Sequence, residues 1–471
     1  MRLFCFTFYL YLIVVSLKGG KIMIRAMGNV FDRWARKWMP DPMLFAILLT
    51  FLTYILGLSL TKSGPFEMVQ YWYKGFWVLL KFGMQMCLIL VTGHALATSP
   101  IVRKGIEKLA AIPSHQTGAI FLVALTAAIA SWVNWGLGII VGALMAREVG
   151  RSGHLRNIPM HYPLLGAAGY AGFLTWHGGL SASAPLLVAT KGHFLMKDIG
   201  IIPTSQTLFS PLNIVVTLVL LAVIPLTMMM MSPKNKEDIV TITDVDLGLV
   251  EEEKVNALSK EEMVIADKIE NSQTITWIIG LMGLAYIFWY FGTKGFKLNL
   301  NIVNFTFLFV GIILQRTPIN YIKAVSEGTK ACSGIIIQFP FYAGIMGMMK
   351  FSGLVAVIAG WFVAVSNTTT YPVFAFLSAG LVNLFVPSGG GQMAVQGPVM
   401  VQAAQALHFS IPKTVMAIAY GDQWTNMLQP FWALALLGIT RLRARDIVGY
   451  TMVVLVTSAV VFILGLLLLP A

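Results

Sequence analysis

The sequence predicts an all-α integral membrane protein, a polytopic helical bundle with inverted repeats, two re-entrant hairpins and two broken helices. Of its 471 residues, 57% are apolar and only 11% are charged, and the mean hydropathy is +0.77. A soluble domain carries roughly 25% charged residues, so this chain has too few to cover a water-exposed surface. Its apolar runs recur at lengths of about 20 residues, which is the length of a helix that crosses a bilayer.

The net charge of +13 at neutral pH would by itself suit nucleic-acid binding. The basic residues, however, occur in short clusters between apolar runs, as in the cytoplasmic loops of membrane proteins. We therefore expect no nucleic-acid partner and take the lipid bilayer as the surroundings of the chain. Cys5, Cys87 and Cys332 show no paired spacing and no Cys/His cluster, so neither a disulfide framework nor a zinc site is predicted.

Residues 1–22 are interpreted as an N-terminal extension. Their apolar stretch is followed by two lysines, Lys18 and Lys21, whereas a secretory signal carries its positive charge before the apolar stretch. We expect Met23 or Met27 to be the true start of the functional chain.

Residues 23–42 are predicted to form an amphipathic interfacial helix. Phe31, Trp34 and Trp38 are interleaved with basic side chains, a pattern typical of helices that lie on an anionic cytoplasmic leaflet. This helix should stop at Pro40, because proline lacks the backbone N–H that continues a helix. The pattern places the N-terminus in the cytoplasm.

The rest of the chain divides into two halves. Residues 43–231 are predicted to form the first transmembrane repeat, and residues 273–471 the second, which a linking helix precedes. Between them, residues 232–272 hold eleven of the 20 acidic residues and are interpreted as a polar cytoplasmic linker. The predicted uninterrupted spans are 43–60, 76–98, 207–231, 273–291, 298–315, 331–349 and 446–469.

Four further apolar runs are interrupted by residues that break helices. We predict re-entrant hairpins at 117–149 and 372–408, and broken helices at 161–190 and 411–440. A break inside a bilayer frees backbone groups, which is tolerated only where they are buried in protein or line a wet cavity. The breaks are, in the same order, Asn134-Trp135-Gly136, Pro387-Ser388-Gly389-Gly390-Gly391, Gly178-Gly179 with Pro185, and Gly421 with Pro430.

The charge distribution sets the predicted topology. With a cytoplasmic N-terminus, every arginine falls on the cytoplasmic side, as the positive-inside rule expects. The run 117–149 has basic residues at both ends. Arg103 and Lys104 lie before its start, and Arg147 and Arg151 lie close to its end. It should therefore return to the side from which it enters.

The two halves align with each other in order and at a nearly constant offset. In the predicted topology Asp198 falls outside and Asp446 inside, so the two repeats should be inverted in the membrane. Inverted repeats with broken helices are typical of secondary transporters, which bind their substrates near the midplane. The aligned pairs are Gln85 with Gln338, Ser99 with Ser352, Asn134 with Asn383, Trp176 with Trp424, and Asp198 with Asp446.

The predicted substrate site lies at the interruptions. The N-terminus of a half-helix presents free N–H groups and the positive end of the helix dipole, which suit a carboxylate. Glycine lets the backbone approach a ligand closely, and two tryptophans could wall an apolar pocket. The predicted substrate-binding residues are Asn134, Gly136, Thr175, Trp176, Ser181, Asn383, Ser388, Gly389, Gly390, Gly391, Gln392 and Trp424.

Asp422 is the predicted centre of ion coupling, together with Thr425 and Asn426. It is the acidic residue placed well inside an apolar run, where a charge costs about 2.5–3.5 kcal/mol on insertion scales. The coupling ion is expected to be sodium or a proton, and no resident cofactor is expected. The alternative for Asp422 is a structural hydrogen bond. A sodium site is predicted near Ser131, Asn134, Asn383 and Asp422.

The charge of the predicted core favours a monocarboxylate substrate. His177 is the one basic side chain deep in the interrupted runs, and a dicarboxylate usually needs more positive charge. A dicarboxylate or amino-acid carrier of the same architecture is the alternative. A serine hydrolase built on Ser388 and His177 is disfavoured because Ser388 lacks the G-x-S-x-G setting, and no catalytic residue is assigned. A channel is disfavoured by the closed hairpins.

Seven stretches together resemble the AtoE-type short-chain fatty acid transporter family of the ion transporter superfamily, from about Met23 to Leu469. They are "RWARKWMPDPMLFAILLTFLT", "GFWVLLKFGMQMCLILVTGHALATS", "VNWGLGIIVGALMAREV", "GFLTWHGGLSAS", "IIIQFPFYAGI", "FVPSGGGQMAVQGP" and "AIAYGDQWTNMLQPFWAL".

The resemblance implies secondary active uptake of butyrate or acetoacetate-like monocarboxylates across a bacterial inner membrane. We also expect ion-coupled transport by alternating access, with symport or exchange as alternatives and a homodimer as one candidate assembly.

Overall fold

The computed structural model describes residues 42–233, 235–242, 263–384, 386–428 and 432–470. Every regular element within these ranges is helical. The predicted N-terminal extension, the predicted interfacial helix up to its last residue and the centre of the predicted linker lie outside the described residues, so those predictions stay predictions.

The first half of the chain forms helices α1 to α10, and its predicted broken helix contains a 3₁₀ segment. The bounds are α1 Pro42–Leu60, α2 Pro65–Phe76, α3 Leu80–Ala97, α4 Pro100–Ala110, α5 Gln116–Val133, α6 Trp135–Leu155, α7 Tyr162–Ala171, the 3₁₀ segment Gly172–Gly178, α8 Ser183–Ala189, α9 Met196–Ile199 and α10 Pro211–Met230.

The second half forms helices α11 to α21. The bounds are α11 Ile265–Glu270, α12 Gln273–Lys294, α13 Leu300–Gln315, α14 Pro318–Lys330, α15 Ser333–Ser352, α16 Leu354–Val365, α17 Tyr371–Asn383, α18 Gly389–Ala406, α19 Ile411–Thr425, α20 Ala433–Thr440 and α21 Ala444–Leu468.

Seven helices within the described residues are long and apolar enough to cross a membrane: α1, α3, α5, α10, α12, α15 and α21. Six of them lie on predicted spans. The seventh predicted span is the shorter apolar helix α13. Helix α5 was predicted as one arm of a hairpin, and its length would let it cross by itself. The multi-span membrane fold is confirmed, and the re-entrant path of 117–149 stays a prediction.

Both predicted hairpins consist of two helices joined at a short break. In the first, Asn134 alone separates α5 from α6, and its Oδ1 accepts a 2.9 Å hydrogen bond from the amide of Leu137. In the second, α17 ends at Asn383 and α18 begins at Gly389. Gly389, Gly390 and Gly391 were predicted as part of that break, but they form the first turn of α18, because Ser388 caps the helix ahead of them.

The first predicted broken helix is interrupted as expected. After α7 the chain tightens into the 3₁₀ segment, passes Gly178-Gly179 and resumes as α8. Pro185 does not cause a break, because it lies in the first turn of α8, where its missing N–H has no intrahelical partner to lose.

The second predicted broken helix differs from the prediction at Gly421. Helix α19 runs without interruption through this residue to Thr425, so the predicted break there is wrong. A Cβ at Gly421 would collide with the backbone oxygen of Phe376. The glycine instead allows α17 and α19 to pack closely. Pro430 lies outside the described residues.

The order of elements from α2 to α6 recurs from α14 to α18, and the contacts between the halves are reciprocal. Helix α2 packs on α15, and α14 packs on α3. Helices α2 and α14 both begin with a proline, after Gly64 and Thr317 respectively. This reciprocity supports the predicted repeat, whose inversion in the membrane stays a prediction. The interrupted segments of both halves meet where the 3₁₀ segment packs on α19.

Candidate functional site

Three side chains from the two halves form a buried hydrogen-bonded chain. The Nδ1 of His177 lies 2.8 Å from the Oδ2 of Asp422, and the Nε2 of His177 lies 3.0 Å from the hydroxyl of Ser183. The side chains of His177 and Asp422 are 0% and 1% exposed. A buried carboxylate is tolerated only with such partners, so the pair ties the 3₁₀ segment to α19.

Glycines shape the segment that carries His177. A Cβ at Gly172 would collide with the backbone of α5 at Ala128, and a Cβ at Gly179 would collide with its backbone at Trp132. The segment can therefore lie directly on α5. The amide of Leu180 then donates to the carbonyl of Trp132 over 2.7 Å. This turn brings the start of α8 back to the imidazole.

Two further hydrogen bonds join the 3₁₀ segment to the end of α19. The amide of His177 donates to the Oε1 of Gln423 over 2.8 Å, and the Nε1 of Trp176 donates to the Oδ1 of Asn426 over 3.1 Å. Each bond crosses from the first half of the chain to the second. The two interruptions are thus held in one fixed arrangement.

The residues predicted for ion coupling lie beside the second hairpin. The Nδ2 of Asn383 donates to the backbone oxygen of Asp422 over 2.8 Å and to the hydroxyl of Thr425 over 2.9 Å. The Nδ2 of Asn426 also donates to the backbone oxygen of Asp422, over 3.0 Å. The carboxylate itself is turned the other way, toward His177. Within the described ranges, no cluster of three His, Cys, Asp or Glu could hold a metal ion.

The other two residues of the predicted sodium site lie at the break of the first hairpin. Ser131 is buried against Gly138, and the Nδ2 of Asn134 donates to the carbonyl of Ile89 over 3.3 Å. Asn134 thus caps α6 and ties it to α3. The sodium site stays a prediction.

A small cleft lies between the interrupted segments of the two halves. Aromatic rings form much of its wall, and they contact one another: the ring centroids are 5.7 Å apart for Phe173 and Trp176, and 5.2 Å apart for Trp135 and Trp432. The lining residues are Met86, Trp135, Phe173, Trp176, Ser183, Ile335, Phe339, Ser388, Gly389, Gly390 and Trp432.

The polar side of the cleft is the N-terminus of α18. Ser388 caps this helix by accepting the amide of Gly391 over 3.3 Å. Gly389 and Gly390 occupy the first two helical positions, whose amides have no acceptor within a helix. A Cβ at Gly389 would collide with the ring of His177 and the hydroxyl of Ser183. The positive end of the helix dipole is therefore placed against the buried chain of side chains.

The structure brings only part of the predicted substrate site to the cleft. Trp176, Ser388, Gly389 and Gly390 line it, and Ser181 supports its wall by accepting the amide of Trp135 over 2.9 Å.

The remaining predicted substrate-binding residues contact other parts of the protein. Trp424 packs on Phe376 at 4.8 Å between centroids, and Thr175 donates to the carbonyl of Ala128 over 2.7 Å. Gly391 lies against Tyr342 and Gly136 against Leu90. Gln392 donates to the carbonyl of Ala379 over 2.8 Å. Asn134 and Asn383 hold the hairpin breaks, as described above.

The predicted set of substrate-binding residues lacks several residues of the cleft. Trp135 and Ser183 lie in the interrupted stretches "VNWG" and "LSAS", and Trp432 follows the end of α19. Their position next to a predicted break was a usable signal. Met86, Phe173, Ile335 and Phe339 are apolar residues in apolar stretches, and nothing local separates them from packing residues.

Comparisons with known proteins agree on one family. The family model for short chain fatty acid transporters matches residues 23–469. A protein of Escherichia coli K12 named "Putative short-chain fatty acid transporter" is 45% identical over 445 residues, which cover 94% of this chain and 99% of the relative. A relative of the same name from Haemophilus influenzae is 43% identical over 452 residues, covering 94% and 99%.

Two solved structures share the fold. The YdaH transporter of Alcanivorax borkumensis has a TM-score of 0.58 at 18% identity, covering 91% of this chain and 98% of its own. MtrF of Neisseria gonorrhoeae, described as illuminating a class of antimetabolite efflux pumps, has a TM-score of 0.58 at 14% identity, covering 93% and 97%. With its family matched over nearly the whole length, this chain belongs to the short-chain fatty acid transporters and is a multi-span membrane transporter, not an enzyme.

Proposed function

We propose that this transporter carries short-chain monocarboxylates, such as butyrate or acetoacetate, across the bacterial inner membrane by ion-coupled alternating access. The observation that carries the proposal is the cleft, where the glycine-rich N-terminus of α18 faces a wall of aromatic rings. One side suits a carboxylate and the other suits a short acyl chain.

The carboxylate would bind at the start of α18. Ser183, Ser388, Gly389 and Gly390 line this part of the cleft, and they carry hydroxyl groups and the first amides of the helix. Helix N-termini bind anions because their amides and dipole are already oriented toward the ligand. The absence of a β-carbon on both glycines lets the oxygen atoms approach the backbone.

The acyl chain would pack on Trp135, Phe173, Trp176 and Trp432. These rings would contact the apolar part of a short acid, and their packing against one another would exclude longer chains. Among the described residues, none that lines the cleft carries a charge, so a second carboxylate would lie against apolar rings without a partner, at a cost of several kcal/mol. The dicarboxylate carrier is therefore the weaker alternative.

Alternating access is supported by the residues that line the cleft, because they come from both halves of the chain. Met86, Trp135 and Trp176 come from the first half, whereas Ile335, Phe339 and Trp432 come from the second. A movement of one half against the other would expose the cleft to one side of the membrane or the other. The cytoplasmic N-terminus follows from the positive-inside pattern.

The test is exchange of labelled butyrate by the full chain in proteoliposomes. Vesicles preloaded with unlabelled butyrate should take up external label faster than protein-free vesicles of the same lipid, which measure passive entry of the neutral acid. An excess of unlabelled acetoacetate should suppress this uptake, and an excess of succinate should not. Protein-dependent exchange that responds to succinate but not to butyrate would favour the dicarboxylate carrier.

Coupling is tested separately by imposing sodium and proton gradients one at a time. Net accumulation of label should follow one of these gradients. If the vesicles only equilibrate their label under both gradients, the protein is a uniporter or an exchanger, and the coupled part of the proposal fails.

A further inference from the structure

The buried hydrogen-bonded chain ends at the cleft. It runs from the carboxylate of Asp422 through the imidazole of His177 to the hydroxyl of Ser183, and Ser183 is itself a lining residue. A change in the charge of the pair can therefore reach the proposed carboxylate position through a single hydroxyl group.

The backbone fixes which nitrogen of His177 carries the proton. The amide of Ala184 lies 3.1 Å from Nε2 and can only donate, so Nε2 accepts. Nδ1 then carries the hydrogen and donates it to Asp422. The hydroxyl of Ser183 also donates to Nε2, and we take the ring as neutral and the carboxylate as ionised. The pair as a whole carries one negative charge in this arrangement.

We propose that Nε2 of His177 takes up the coupling proton, one for each carboxylate anion bound, and that Ser183 transmits this change to the cleft. The proposal rests on the proposed function and names its coupling ion. It adds His177 to the ion-coupling residues and makes Ser183 a positioning residue that acts between the imidazole and the substrate.

Protonation would reverse the role of Ser183. Once Nε2 carries a hydrogen, it donates to the Ser183 oxygen, and the hydroxyl hydrogen turns away toward the cleft, where the carboxylate can accept it. The amide of Ala184 loses its acceptor, so the first turn of α8 must shift. Uptake of the proton is thereby linked to a movement beside the glycines of α18.

The charges explain why one proton accompanies one anion. With the ring neutral, an anion in the cleft would face a second negative charge, on Asp422, behind an uncharged imidazole. With the ring protonated, the pair is neutral and its positive part is nearer to the anion. Anion binding therefore favours the protonated ring, and by linkage the protonated ring favours the anion.

The helices packed against His177 and Asp422 carry other ionisable groups. The nearest along the chain is Tyr420, whose hydroxyl donates to the Oδ1 of Asn213 over 3.0 Å, and the hydroxyl of Tyr170 donates to the carbonyl of Asn426 over 2.9 Å. The remaining ones within the described residues, toward the ends of their helices, are Arg147, Glu148, Arg151, His154, Tyr162, Tyr371, Lys413, Arg445, Asp446 and Tyr450.

The experiment measures protons taken up when butyrate binds. Purified full-length protein in weakly buffered detergent solution near pH 7.5 receives butyrate adjusted to the same pH, as its sodium salt in sodium buffer and as its choline salt in choline buffer, and a pH indicator reports the change. Bound butyrate is measured in parallel by equilibrium dialysis. The wild type should take up about one proton per butyrate bound, in sodium and in choline buffers alike.

Variants assign this proton to His177. In His177→Gln the amide can still bond to Asp422 and Ser183 but cannot titrate, so proton uptake per bound butyrate should fall about tenfold or more, while weaker binding persists. Ser183→Ala should lower the same ratio with His177 present. His94→Gln removes a partly buried histidine, in α3, and should match the wild type. Detergent-solubilised variants are compared only if they remain monodisperse.

The outcomes separate the two proposals. If the wild type binds no butyrate, the proposed function fails. If it binds butyrate without proton uptake, or only with sodium, the proton assignment is overturned and the proposed function stands. If a folded His177→Gln protein takes up protons like the wild type, another group carries them. If that variant does not fold, the proton assignment is judged from the number of protons taken up per bound butyrate in the wild type and in Ser183→Ala.

Discussion

Asp422 and His177, from opposite halves of the chain, are joined by a hydrogen bond of 2.8 Å between Oδ2 and Nδ1. Each residue lies within or next to an interruption of its own half, and both side chains are buried. Removing the charge of one partner while keeping its shape is therefore a direct probe of what the pair does.

Asp422→Asn should uncouple transport from the ion gradient. The amide keeps the hydrogen bond to the imidazole but no longer stabilises a positive charge there, so gradient-driven accumulation of butyrate should fall about tenfold or more, while exchange persists. Accumulation and exchange are measured in the same proteoliposomes. Asp446→Asn, at the exposed start of α21, is the matched control. Accumulation with wild-type ion dependence would make Asp422 a structural residue.

Gly390→Val should abolish uptake while the protein is still expressed and inserted. A Cβ at Gly390 would collide with the ring of Phe82 and approach that of Phe339, so a branched side chain both displaces the wall of the cleft and fills the proposed carboxylate position. Gly360→Val is the matched control, because nothing lies within 4 Å of its Cβ. Normal uptake by Gly390→Val would show that the start of α18 does not bind substrate.

Trp432→Leu should widen the range of acids that are carried. The indole of Trp432 contacts the rings of Trp135 and Phe173 in the wall of the cleft, so a smaller side chain leaves room for a longer acyl chain. The ratio of hexanoate to butyrate exchange should rise about tenfold. Trp424→Leu, outside the cleft, should leave this ratio unchanged. If the ratio rises in Trp424→Leu and not in Trp432→Leu, Trp424 forms the wall of the substrate pocket, as the sequence predicts.

The hairpin of α5 and α6 should begin and end on the cytoplasmic side. Single cysteines at Gly105 and at the exposed Leu155, in a chain without its own cysteines, should react with a membrane-impermeant maleimide only from that side. This holds whether the hairpin is re-entrant or crosses and returns. Labelling of the two positions from opposite faces would contradict the topology and, with it, the predicted inversion of the repeats.

Much of the fold was predictable because membrane segments are specified locally. An apolar run long enough to cross the bilayer forms a helix to satisfy its own backbone, so six of the predicted spans coincide with helices that are long enough to cross. Gly178-Gly179 was recognised as a break by the same local rule. Gly421 was misjudged, since a glycine that ends a helix and one that admits a neighbouring helix look alike in sequence.

The sequence by itself determined the membrane class, most of the spans and the interruptions at Asn134 and Gly178-Gly179, because hydropathy and backbone conformation depend on neighbours along the chain. Only the tertiary structure decided which interruptions meet. His177 and Asp422 are 245 positions apart, and Trp432, not Trp424, lines the cleft. These contacts depend on how the two halves pack against each other, and that packing is set by the shapes of whole helix faces, which no local pattern of residues encodes.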